Sequence, residues 1–238
     1  MSDGDGDVGT SEETAEPIAR GESILGADVP DWQKRSVERS LRTARARAQQ
    51  RSDRFVTAAL ELIAASPDND FTIQEVLDRC TMSVRTFYNF FDGKDSLLLA
   101  VYETVLSKTA VPLLRERCAQ QTDPVLRLRL VFDAVAEVTE TPHPLTRALS
   151  LFHLRLAQNR PADLNHALDP LRNFLLELLT GVAAAGRLRA DVELPPLALL
   201  TLELLISDAH TTVLGGARRS SVDDLWAFCS AALLVPQN

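Results

Sequence analysis

The stretch T-I-Q-E-V-L-D-R-C-T-M-S-V-R-T-F-Y-N-F-F-D-G-K, from Thr72 to Lys94, carries three helix-start signals in close succession. Thr72 with Glu75 three residues later forms a capping box ahead of Val76 and Leu77. Ser83 is a strong N-cap for a second helix expected to run to about Phe91. Asp92-Gly93 breaks that helix, and Lys94 opens a much longer one through Leu97, Leu98, Val101 and Val105. Cys80, Thr81 and Met82 leave only a tight turn between the first two. Helices this short are not stable alone in water, so they must share a core with a neighbour. The neighbour lies upstream, where Phe55, Ala59, Leu62 and Ile63 fall on one face of a helix over 55–65 that ends at the Ser66-Pro67-Asp68-Asn69-Asp70 turn. Three helices around one small core is the arrangement this spacing allows.

The second short helix has two unlike faces. Phe87 and Phe91, at i and i+4, point to a core with Phe55, Ile63 and Val76. Arg85, Thr86 and Asn89 point the other way, with Tyr88 on the flank. Two short helices joined by a three-residue turn and packed under a third match a helix-turn-helix unit, whose second helix enters the major groove of DNA. There an arginine reads guanine, an asparagine reads adenine and hydroxyls fix the backbone. Ser83 and the free amides beside it suit a phosphate, as does Lys94 at the start of the long helix. On the residues alone, an amphipathic hairpin with a merely solvated polar face stays open.

The run F-T-I-Q-E-V-L-D-R-C-T-M-S-V-R-T-F-Y-N-F-F-D-G-K-D-S-L-L resembles the DNA-binding region of TetR-family regulators. Thr72, Ser83, Thr86, Phe87, Tyr88, Phe91, Lys94, Asp95 and Leu97 stand at the family's spacing. Thr81 replaces the usual turn glycine and Gly93 the usual serine. At Thr81 this implies a left-handed backbone at a non-glycine residue, a cost on the order of 1 kcal/mol. The resemblance implies that Thr72, Gln74, Val84, Arg85, Thr86, Tyr88, Asn89 and Lys94 contact DNA. Thr86, Tyr88 and Lys94 would bind phosphate, while Arg85, Gln74, Val84 and Asn89 would read bases. The helical phase of Val84 also suits the core. The family further implies a repressor that binds a palindromic operator as a homodimer. A small-molecule effector in the C-terminal bundle would release it by changing the spacing of the two reading heads.

The net charge of −8 argues against nucleic acid only if it is evenly spread. It is not. Residues 1–33 hold nine acids against Arg20 alone, whereas residues 34–54 hold eight bases against two acids. The acidic start, poor in apolar residues, is expected to be a disordered tail. The basic arm, free of Gly and Pro, is expected to extend the following helix and to track phosphates, with a solvated helix face as the plain alternative. The expected organisation is therefore a tail (1–33), the arm with the helix-turn-helix domain (34–96), and a helical effector-binding and dimerisation domain (97–238). No signal peptide or membrane span is expected, and the three widely spaced cysteines suit buried thiols in a reducing cytoplasm.

The remainder of the chain also reads as helix, so the fold class is all-α, a three-helix DNA-binding domain followed by a larger helical bundle. Asp123-Pro124 caps and opens one helix and Pro144 another. A longer one is expected from about Ala162 to Ala185 with Gly186 as its stop, and Pro195-Pro196 opens an apolar helix to Leu214. Ser221 caps the last. The final two helices are apolar over more than one face, which points to a homodimer through 196–214 and 221–234. Phe132, His153, Arg155, Asn173 and Phe174 are candidates to line an effector cavity of mixed polarity. No cofactor is expected. His143, His153, His166 and His210 lack metal spacing, and no nucleophile motif or phosphate loop supports an enzyme. The rival reading is a helical adaptor that binds only protein, using the same apolar C-terminal helices.

Overall fold

The computed structural model describes residues 30–65, 71–140, 143–189, 191, 193–215 and 220–235. The acidic start over residues 1–29 and the expected turn at 66–70 lie outside these residues. Among the described residues the chain is helical, with one isolated antiparallel bridge between Leu188 and Leu234 and no strand. The helices are α1 (Asp31–Ala65), α2 (Ile73–Cys80), α3 (Val84–Tyr88), α4 (Lys94–Val105), α5 (Val111–Ala119), α6 (Pro124–Glu140), α7 (Pro144–Asn159), α8 (Pro161–Ala167), α9 (Asp169–Ala184), α10 (Leu194–Gly215) and α11 (Val222–Leu233). A π-helical turn, Leu106–Ala110, joins α4 to α5.

The chain divides into two units, Met1–Arg47 and Ala48–Asn238. In the first, the described part is a solvent-exposed helical run from Asp31 that bears Lys34, Arg35, Arg39, Arg42, Arg45 and Arg47. The second unit holds two cores. One gathers Phe55, Ile63, Phe71, Val76, Phe87, Phe91, Leu97, Leu98 and Val101. The other begins at Tyr102 and is built from Leu106, Val111, Leu128, Phe132, Leu156, Leu175, Leu179, Leu202 and their neighbours. The change from one to the other falls between Val101 and Tyr102, so α4 belongs to both. Helix α7 also reaches both, placing Ala148 and Phe152 in the first core and Leu156 in the second.

Local chemistry explains most boundaries. Thr72 and Glu75 exchange both bonds of a capping box, as do Ser221 and Asp224 at α11. Thr81 closes α2 in the left-handed region (φ 54°, ψ 49°), the conformation expected where glycine is usual. Gly186, at φ 66°, ends the chain's run after α9.

Two expectations need correction. Helix α3 stops at Tyr88 rather than near Phe91, because Asn89 and Phe90 donate to residues three back, Thr86 and Phe87, and tighten the last turn. The single helix expected from Ala162 to Ala185 is two, parted at Leu168. Pro170, in the first turn of α9, has no N–H to give and its ring excludes a continuous helix through the carbonyl of His166.

Two helical stretches, Lys94–Ala119 and Leu194–Gly215, are long and apolar enough to cross a membrane by length and composition. Here part of their apolar surface is built into the protein's own cores, through Leu97, Val101, Leu106 and Cys118 in the first and Ala198, Leu202 and Leu205 in the second. All three cysteines are buried free thiols.

Candidate nucleic-acid interface

The aromatic residues crowded around α3 form the floor of the candidate site. Phe55 meets Phe87 and Phe91 edge to face, with ring centroids 5.5 and 5.9 Å apart, and Phe87 and Phe91 lie 5.3 Å from each other. Such pairs add about 0.5–1.5 kcal/mol each beyond their buried area. The Arg54 guanidinium donates to the Cys80 carbonyl at 2.9 Å, tying α1 to the end of α2. A five-residue helix is thereby held at a fixed angle.

Above this floor the polar residues face outward. Arg85 and Asn89 are exposed, and their side chains make no hydrogen bond or ion pair among the described residues. Val84 is 50% exposed and Tyr88 55%, so the phase of Val84 belongs to the outer face and not to the core. Tyr88 leans edge-on against Phe87, 5.3 Å between centroids, which leaves its hydroxyl at the margin of the face. Gln74, on α2, is exposed and donates to Asp78 at 2.7 Å.

Three of the candidate DNA-contacting hydroxyls already have local partners. The Thr72 hydroxyl bonds Glu75, and the hydroxyls of Ser83 and Thr86 lie 2.9 Å apart while Ser83 caps the Thr86 amide. The Thr72 bonds hold the exposed Glu75 carboxyl below the usual range. Lys94 turns inward in this structure: its ammonium donates to the Phe71 carbonyl and lies 4.7 Å over the Phe71 ring.

The five candidate effector residues each have their own surroundings among the described residues. Phe132 is buried against Trp226, centroids 5.2 Å apart. His153 meets the Tyr102 hydroxyl at 3.0 Å and stacks edge-on with His210 at 4.7 Å. Burial, with His210 beside it, pushes the His153 imidazole down to about 4. Burial lowers His210 and raises the Tyr102 hydroxyl. Arg155 pairs with Asp95, which also accepts from Asn159 at 2.9 Å, so it fastens α7 to the start of α4. Asn173 is exposed, and Phe174 lies under the Arg115 guanidinium at 4.9 Å. Sequence reasoning missed Tyr102, His210 and Trp226 as partners, since nothing local marks a contact made between distant helices. Among the described residues no group of three or more His, Cys, Asp or Glu side chains gathers as for a metal.

Residues 55–101 match the profile of the family described as bacterial regulatory proteins, tetR family. No curated protein matches the chain in sequence. Solved structures share its fold. RolR in complex with resorcinol is 17% identical, with a TM-score of 0.61 over 79% of this chain and 89% of its own. A TetR transcription regulator from Haloarcula marismortui is 20% identical, with a TM-score of 0.58 over 79% of this chain and all (100%) of its own. FadR from Bacillus subtilis in complex with stearoyl-CoA is 16% identical, with a TM-score of 0.56 over 78% and 98%. At these identities the likeness is one of fold.

Proposed function

We propose, from the premise that this chain is a TetR-family transcriptional regulator, that it represses transcription in the cytoplasm as a homodimer on a palindromic operator and is released by a small molecule bound in its C-terminal bundle. The observation that carries the reading is the outer face of α3, where Arg85 and Asn89 project without internal partners from a helix fixed by a buried aromatic floor. Arg85 grips a guanine edge, and Asn89, Gln74 and Val84 meet neighbouring bases. Thr72, Ser83, Thr86 and Tyr88 hold phosphates, and Lys94 joins them by swinging from the Phe71 carbonyl. The arm over 34–54 adds non-specific phosphate contacts.

One such head covers one half-site, so a palindrome needs a two-fold pair. The dimer face we assign is α10 with α11, where Leu200 is 61% and Phe228 69% exposed, beside the exposed Leu199 and Val235. RolR with resorcinol and FadR with stearoyl-CoA support ligand control as the reading for this fold.

The test is a mobility-shift titration on DNA flanking the gene, with sedimentation of the free protein and of Phe228→Glu. The expected result is saturable binding to a palindrome by a dimer. Phe228→Glu, which touches no core, should give a folded monomer with greatly reduced operator affinity. No preference for any flanking fragment over scrambled DNA would sink the regulator reading and leave the protein-binding adaptor.

A further inference from the structure

We infer that the cavity walled by α5, the start of α6 and α9 is a binding site for a small monocarboxylate with an apolar body. For its regulatory meaning the inference rests on the ligand-controlled reading above; the binding itself does not.

The cavity has a volume of about 270 Å³, at the small end of ligand pockets. Two arginines face it, and they differ. Arg115 is fully matched: its guanidinium donates two bonds to the Glu177 carboxylate, at 2.6 and 2.7 Å, and lies 4.9 Å over the centre of the Phe174 ring. Arg127 is not. Its Nε is buried with no acceptor, and the side chain makes no ion pair or hydrogen bond among the described residues. The one acid close by in sequence, Asp123, is engaged elsewhere, capping the amides of Val125 and Leu126 and facing Arg187 at 3.7 Å. The wall therefore holds one positive charge without a counterpart.

A partly buried arginine whose Nε has no acceptor leaves a donor unsatisfied at a cost to folding, and a ligand carboxylate supplies the acceptor it lacks. Its planar fork matches a carboxylate. One uncompensated charge, with the Glu177 carboxylate nearby, fits a monoanion and disfavours a dianion such as phosphate. The rest of the lining is apolar: Phe174, Leu178, Ala119 and Pro124. Those walls suit a ring or short chain behind the carboxylate.

The position also gives binding a route to DNA. Arg115 is on α5, at the far end of the helical rod Lys94–Ala119 whose first turns place Leu97, Leu98 and Val101 in the core beneath α3. An anion in the cavity competes with Glu177 for Arg115 and so acts on that rod.

The experiment is calorimetric titration of the purified protein with benzoate and hexanoate, and with benzamide and hexanamide as neutral matches. The acids should bind and the amides should bind at least about tenfold more weakly. Arg127→Met should lower benzoate affinity by about tenfold or more and, by removing the unmatched charge, raise the melting temperature of the ligand-free protein. Gly181→Leu fills the cavity without changing charge; its first side-chain carbon has ordinary room, 3.8 Å from the Pro124 Cβ, and it should abolish binding of the acids. Amides binding as well as acids, or full benzoate affinity in Arg127→Met, would overturn the site. Operator affinity is measured alongside. Carboxylates that bind but leave it unchanged uphold the site and remove ligand control from it. Release of DNA by neutral compounds, with no carboxylate bound, upholds ligand control and overturns the site.

Discussion

The face of α3 and the flanks of the C-terminal bundle are both rich in charged and polar side chains, and they treat them in opposite ways. In the bundle many charges are matched inside the molecule: Arg117 holds Glu137, Arg129 spans Asp133 and Asp223, and Arg115 holds Glu177. The Arg117 and Arg115 pairs are solvated and each contributes at most about 1 kcal/mol, while Arg129 and Asp133 are mostly buried, and the effect of all of them is to fix where helices sit. On α3, Arg85 and Asn89 have no partner among the described residues and stand above a buried aromatic floor. Polar groups that a fold positions but does not satisfy are the ones offered to another molecule. Within the bundle Arg127 meets the same criterion, with its Nε buried and without an acceptor.

The comparison can be broken most forcefully from beneath. Phe87→Ala empties a fully buried site in the aromatic floor and should cost about 3–5 kcal/mol, seen as a lowered melting transition of the head with loss of binding to every duplex. A variant that melts normally yet loses only cognate binding would place Phe87 in recognition instead. Next comes Arg85→Ala, expected to leave the melt unchanged and to cost about 1–3 kcal/mol on cognate DNA, relaxing preference at one base pair per half-site. Equal losses on cognate and scrambled duplexes at one salt concentration would make Arg85 a phosphate clamp. Thr81→Gly should relieve the left-handed residue between α2 and α3, worth at most about 1 kcal/mol against the flexibility glycine adds, with operator preference intact.

The smallest effect at neutral pH concerns the bundle. A folded His153 near 4, below its ordinary 6.5, means the unfolded chain binds the extra proton first. Stability should be flat above pH 6.5 and fall as the pH drops toward 4. Urea midpoints across that range should show the slope, and His153→Gln should flatten it. An identical slope in the variant would assign the acid sensitivity to other groups.

The head was legible because its signals are local. Capping boxes, i,i+4 aromatics and a three-residue turn act within a few residues, so Thr72, Ser83, Phe87 and Phe91 could be placed from spacing alone, and Val84 was ambiguous only in helical phase. The bundle resisted because its decisive contacts are distant. Arg155 meets Asp95 from 60 residues away and Arg115 meets Glu177 from 62, and neither pair leaves a trace in periodicity. The inward turn of Lys94 onto Phe71 was equally hidden, since it depends on a carbonyl 23 residues upstream. The last helix illustrates the same limit: its apolar run marks 221–234 as a whole, but Leu225 and Leu233 pack on the core while Phe228 is exposed.

The π-helical turn Leu106–Ala110 has a consequence for how chains of this kind change length. A wide turn of this type takes in one extra residue while the helices on either side keep their phase. Anywhere else between Lys94 and Ala119, removing one residue would rotate α2 and α3 by about 100° about the rod, since each α-helical residue turns by that amount. Within 106–110 a single deletion converts the wide turn to an ordinary one and leaves Val101 and Val111 facing their own cores. This segment is the gap in an otherwise fixed ruler, the place where an insertion or deletion passes without turning one end of the molecule against the other.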